Sequence, residues 1–136
     1  MSKPSQNGRD PNSRPVDHEN PIWHKDGSSF GQPPRWIHFK DRDGEITHAE
    51  RKFLYWIADQ TRSWGRPCVR ASLSDLARGT GLSRRWVVEV RDRLVERGLV
   101  VQCQDGNSYL YGVSDPGEDP RMVRMKVQHR IQDSRE

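Results

Sequence analysis

Cysteine is scarce: Cys68 and Cys103 are the only two in 136 residues. Two are too few for a disulfide scaffold, and neither stands at metal-ligand spacing from other ligand types. We expect both to be small buried residues in strands, with no metal and no cofactor. Long apolar runs and a secretory leader are missing too, which leads us to expect a cytoplasmic protein with no membrane partner. His18, His24, His38, His48 and His129 are scattered. No paired-carboxylate motif, nucleophile elbow or phosphate loop stands near them, so we expect no catalytic residues and no enzyme. Apolar residues make up 32% of the chain and charged residues 31%. That supply builds a compact domain of roughly 70 to 80 residues and little more. Neither sign of charge dominates, the formal net charge being +4. Residues 1–30 hold four basic and four acidic side chains and residues 115–136 five of each, which leaves 14 basic and 10 acidic between 31 and 114. The whole excess is central, and it modestly favours a polyanionic partner.

What is present is clearest between Ser72 and Gly98, SLSDLARGTGLSRRWVVEVRDRLVERG. Ser72 is an N-cap with Asp75 three residues on, a weak capping box. Leu73, Leu76 and Ala77 give a short helix one apolar side. Thr80-Gly81 breaks it, because glycine takes the left-handed conformation of a sharp turn. Leu82 plugs the gap and Ser83 caps a second helix whose inward stripe is Val87, Val90 and Leu94. Gly98 after Arg97 ends that helix. The pattern predicts a helix-turn-helix. At about 100° per residue, Arg85, Val88, Glu89 and Asp92 face away from the stripe, flanked by Arg84 and Trp86.

Around it the chain divides into three. Residues 1–34 carry six prolines among Ser, Asn, Asp and Gly and read as a disordered arm. Within the arm, Ile22-Trp23-His24 and Phe30 are sticky spots able to dock, and Lys3, Arg9 and Arg14 are balanced by acids. Residues 35–114 read as the domain. Arg35 to Lys40 alternates and is aromatic, which predicts a short extended segment. Asp41 to Glu45 is a turn. Thr47-His48-Ala49-Glu50 is a capping box opening a helix with Phe53, Leu54, Ile57, Ala58 and Thr61 on one side, ending near Arg62. Tyr55 and Trp56 lie at its flanks. Pro67 to Ala71 is a short strand with Val69 inward. Leu99 to Gln104 and Tyr109 to Val113 are strands around Asp105-Gly106, a strong hairpin signal. Helix, strand, helix, helix, hairpin is the order of a winged helix-turn-helix, mostly α with a small three-stranded sheet. Residues 115–136 read as a linker and a short C-terminal segment. There Val123, Val127 and Ile131 suit a helix, while Val123, Met125 and Val127 suit a strand.

Residues 46–114 resemble the N-terminal winged-helix domain of the phage replication protein O family. The motifs are Thr61-Arg62-Ser63-Trp64-Gly65 after the first helix, Ser72-Leu73-Ser74-Asp75-Leu76-Ala77 with Thr80-Gly81-Leu82-Ser83, Arg97-Gly98-Leu99-Val100, and Ser108-Tyr109-Leu110-Tyr111. With the lead-in from Arg35 to Phe39 the likeness covers about 80 residues. It implies a double-stranded DNA-binding protein that acts at repeated origin sites in phage or plasmid replication, with a replication protein as a further partner. Only 22 residues follow Ser114, so we expect a stand-alone DNA-binding protein or a reduced relative.

On this reading Ser83, Arg84, Arg85 and Glu89 approach base edges, Arg85 pairing with guanine and Glu89 accepting from a cytosine amino group. Glu89 has an alternative, an ion pair with Arg85 or Arg93 one turn away. Trp86 flanks the same turn, and we expect it to pack against the first helix rather than on a sugar. Arg70, Arg78 and Arg93 are expected phosphate contacts, with Ser72 and its helix start beside them. Asn107 at the wing tip is a minor contact, since the tip carries no Arg or Lys. Few phosphate contacts mean weak binding to one site, and hence a homodimer or clustered sites. The candidate dimer surfaces are the first helix, with Tyr55 or Trp56 exposed, and Met122–Ile131. The rival functions are a transcriptional regulator of the same fold, and a protein-interaction adaptor that uses the acidic edge of Glu89, Asp92 and Glu96.

Overall fold

The computed structural model describes residues 19–23 and 34–135. In order come α1 (Arg35–Arg42), α2 (His48–Thr61), a 3-10 turn (Arg62–Trp64), β1 (Val69–Arg70), α3 (Leu73–Thr80), α4 (Arg84–Glu96), β2 (Val100–Asp105), β3 (Ser108–Val113) and α5 (Pro120–Arg135). The fold is mostly helical with one small antiparallel sheet of order β1-β3-β2, a winged-helix arrangement. Most of the expected arm, including Phe30, Lys3, Arg9 and Arg14, lies outside the described residues.

Local chemistry starts the helices where the sequence predicts. The Thr47 hydroxyl accepts from the Glu50 backbone N–H, and the Glu50 carboxylate accepts from the Thr47 N–H. Ser72 and Asp75 close the same reciprocal box on α3. Ser83 Oγ accepts from the Trp86 N–H at the start of α4. Each cap satisfies a backbone donor that the helix leaves over and contributes about 1 kcal/mol. Gly81 turns the chain between α3 and α4 at φ +75°.

The sheet separates two apolar layers. Val69 pairs with Tyr111, Cys103 with Leu110 and Val100 with Val113, and the hairpin turns on Gly106-Asn107. Alternation along the strands sends Val69, Val100, Tyr111 and Val113 toward α2 and α4, where they meet Phe53, Leu54, Ile57, Leu76, Val87, Val90 and Leu94. The other face carries Cys68, Val101, Cys103 and Leu110, and α5 covers it with Val123, Val127 and Ile131.

Three expectations change. Arg35–Arg42 is a helix and not an extended segment. Pro34 precedes it, and Ile37 is the residue it buries. Trp36 Nε1 donates to Asp115 Oδ1 at 2.8 Å, which fixes the helix against the end of β3. The expected boundary at Ser114 does not end the packed chain. Asp115 also accepts from Arg62, and of the two patterns open to the segment beyond it the helix is the one adopted, as α5, which covers the sheet. Residues 19–23 pack as well. The Gln60 side chain pairs with the Ile22 backbone in both directions at 2.8 Å, and Arg66 donates to the Asn20 carbonyl. Trp23 stacks on Trp56 with ring centroids 5.7 Å apart.

Candidate nucleic-acid interface

The first two turns of α4 present the features a groove-reading helix needs. Val87, Val90 and Leu94 are fully buried and fix the helix's rotation. That rotation leaves Arg84, Arg85, Glu89 and Asp92 on the outside. Arg84 and Arg85 are exposed and make no hydrogen bond or ion pair among the described residues, so both guanidiniums keep their full set of donors. Glu89 is also without an ion pair there, and the expected pairing with Arg85 or Arg93 is absent. Arg93 instead turns toward Glu50 at 4.0 Å and lies over the Trp86 ring at 5.6 Å.

Trp86 does not pack against the first helix; it is 48% exposed. The space between α2 and α3 is already filled by Trp56, one of the two aromatics expected at an exposed dimer surface, which is 9% exposed, while the other, Tyr55, is half-buried. An indole is thus left half exposed on the flank of α4 beside Arg93.

The remaining expected contacts lie around this helix in different states. Ser72 and Ser83 are exposed, their oxygens accepting from backbone N–H groups. Asn107 is exposed at the wing tip. Arg78 is exposed on α3 but sits over the Trp23 ring at 4.1 Å. Arg70 is not the open phosphate contact expected of it. Its guanidinium donates to Asp105 at 2.9 Å, to Ser108 Oγ at 2.6 Å and to Glu19 at 3.4 Å. Burial pulls its pKa down, but the hydrogen bonds and charges of Asp105 and Glu19 outweigh that and raise it.

The chain matches no protein-family model, no curated protein and no solved structure. Function therefore rests on what these side chains can do. Among the described residues, no group of three or more His, Cys, Asp or Glu side chains is placed to hold a metal ion, and no helix is long and apolar enough to cross a membrane. A cleft of about 400 Å³ lies between the 3-10 turn and α5, but its charges, Arg62 with Asp115 and Glu118, and Lys126 with Glu118, already face each other. Burial pushes the Cys68 thiol up to about 12 and raises that of Cys103, so neither supplies a thiolate nucleophile.

Sequence reasoning missed Glu19 and Arg130, which meet at 3.2 Å across 111 positions. It also missed the placement of Trp23 on Arg78. An isolated tryptophan in a proline-rich stretch was the one available signal for this strap.

Proposed function

We propose that this chain binds double-stranded DNA in a sequence-dependent way, with the N-terminal half of α4 in the major groove. The observation that carries the reading is the pair Arg84 and Arg85, exposed and, among the described residues, unengaged on the first turn of the second helix of a helix-turn-helix. Guanidiniums at that place match the paired acceptors of guanine, each good contact contributing about 1–3 kcal/mol of discrimination. Arg93, Arg78 and the caps of α3 and α4 flank them for the phosphates. The likeness to the phage replication protein O family suggests the process: initiation of phage or plasmid replication in the bacterial cytoplasm, on clustered sites that offset weak single-site binding, with a second copy or another replication protein alongside. A transcriptional regulator would use the same face on an operator.

One observation favours a different partner. Glu89 and Glu96 are exposed on α4 without an ion pair among the described residues, and Asp92 sits between them. An acidic ridge repels phosphate and suits a basic protein surface, so an adaptor role is the second reading. Selection from a random duplex library at two salt concentrations, with Arg85→Ala in parallel, separates the two. Enrichment of a motif that this substitution blurs supports base reading. Repeats of the motif clustered in an origin favour replication, and a single palindrome upstream of a gene favours a regulator. Weak, wholly salt-dependent binding without enrichment overturns the DNA reading in favour of the acidic ridge.

A further inference from the structure

Glu19 is a carboxylate with 8% exposure, held by two arginines from distant parts of the chain. Arg70 of β1 approaches Oε1 at 3.4 Å and Arg130 of α5 approaches Oε2 at 3.2 Å. One anion thus presents one oxygen to each guanidinium. A phosphodiester has the same single charge and two non-bridging oxygens, and arginine binds both anions through the same fork. The position is also informative. Arg70 reaches Ser108 and Asp105 at the wing turn, and two residues later Ser72 caps α3. Arg70 stands opposite Leu110, on the α5 side of the sheet, so the arginine pair lies at the wing end of the sheet on the face turned away from α4. The residues that carry Glu19 there, Glu19-Asn20-Pro21-Ile22-Trp23, bring one negative charge and no positive one.

We propose that Arg70 and Arg130 form a binding site for a backbone phosphate of duplex DNA, closed in cis by the Glu19 carboxylate. The site rests on the DNA-binding reading above. Bound duplex puts a phosphate oxyanion where the carboxylate lies, and Glu19 turns out to solvent while Ile22 and Trp23 keep the strap on α2. Asp105 stays on Arg70, and the phosphate takes the place of Glu19 on both guanidiniums.

The test uses the full chain with Glu19→Gln, a near-isosteric change that removes the charge. The variant should bind a short duplex several-fold tighter than wild type at low salt. Adding Arg130→Gln should abolish the gain and flatten the slope of log K against log salt by about 0.9, the effect of one phosphate contact. Inorganic phosphate should raise the melting temperature of Glu19→Gln and leave wild type unmoved, which separates a free-anion site from a duplex contact. If Glu19→Gln and wild type bind duplex equally and neither responds to phosphate, the site is overturned while the DNA reading stands. If phosphate stabilises Glu19→Gln but no form binds duplex, the DNA source and the DNA reading fall together. Should Glu19→Gln not fold, Arg130→Gln in the otherwise native chain decides: a flatter salt slope supports the site, and an unaltered slope at lower stability makes the pair purely structural.

Discussion

The indole of Trp56 fills the volume that a side chain at Gly79 would need, so that a β-carbon built on Gly79 would overlap its Cε2 and Nε1 atoms. Trp23 lies against the same indole, and Arg78 caps Trp23 at 4.1 Å. One stack therefore ties α2, α3 and the strap of residues 19–23 together. A glycine near the end of α3, poor for the helix taken alone, is the residue that lets the helices approach.

Gly79→Ala consequently reverses the usual sign. In an open helix the change stabilises by up to about 1 kcal/mol. Here overpacking against Trp56 outweighs that gain, and we expect a net loss of about 1–3 kcal/mol in urea unfolding, with a shifted tryptophan emission. Equal or greater stability would mean that the indole has room to move.

Glu50 links the start of α2 to the end of α4. It is 3% exposed, closes the capping box with Thr47, and pairs with Arg97 at 3.4 Å and Arg93 at 4.0 Å. Glu50→Ala removes the cap's return bond and leaves two arginines without their buried partner. We expect a loss of about 3 kcal/mol. Arg97 is exposed and also donates to the Glu45 carbonyl, so Arg97→Ala should lose less. A double-mutant cycle with coupling below about 0.5 kcal/mol would assign the effect of Glu50 to the cap alone.

The alkaline limit of stability should be set in part by Cys68. Burial raises its thiol from 9.0 to about 12, so the folded chain keeps a proton there that the unfolded chain releases. The stabilisation from the neutral thiol is whole below pH 9 and declines as pH rises from 9 toward 12, at most by about 1.4 kcal/mol per pH unit. Denaturation at several alkaline pH values, compared with Cys68→Ala, should give a shallower decline for the variant. Identical pH slopes would remove the thiol from the account.

Arg84→Ala and Arg85→Ala should leave unfolding within about 0.5 kcal/mol of wild type, because neither guanidinium has a partner to lose among the described residues. Any effect of either change on duplex binding then reports on the interface and not on the fold. A large destabilisation by Arg85→Ala would mean that its side chain supports the domain.

How much of this was legible in the sequence follows from the kind of signal each element gives. The boxes at Thr47 and Ser72, the Val87-Val90-Leu94 stripe and the Asp105-Gly106 turn are local, and they predicted α2, α3, α4 and the hairpin. Arg35 to Lys40 carries a pattern that suits an extended segment, and what decides for a helix is the seat of Ile37 and the bond from Trp36 to Asp115, 79 positions away. Val123 to Ile131 fits two periods equally, and only the apolar outer face of the sheet selects the helix. In the interface, Arg84 and Arg85 followed from helix rotation. The neutralisation of Arg70, the exposure of Trp86 and the meeting of Glu19 with Arg130 depend on contacts between distant segments, for which single-sequence periodicity has no signature.

The packing of α5 leads to the last prediction. Val123 and Val127 close over Cys68, Val101, Cys103 and Leu110, and Arg124 donates to the Gln102 carbonyl at 3.0 Å. A chain ended after Asp119 would keep the layer formed by α2, α3 and α4 but bare the other face of the sheet. Thiol reagents at neutral pH should leave both cysteines of the full chain unmodified, because both are buried. In the shortened chain Cys103, on β2, should react within the folded state, and the exposed apolar face should drive self-association. Val127→Asp in the full chain tests the same contact by placing a charge at the centre of that layer, and it should expose Cys103 in the same way. Protection of Cys103 in both forms would show that the sheet's outer face is covered by something other than α5.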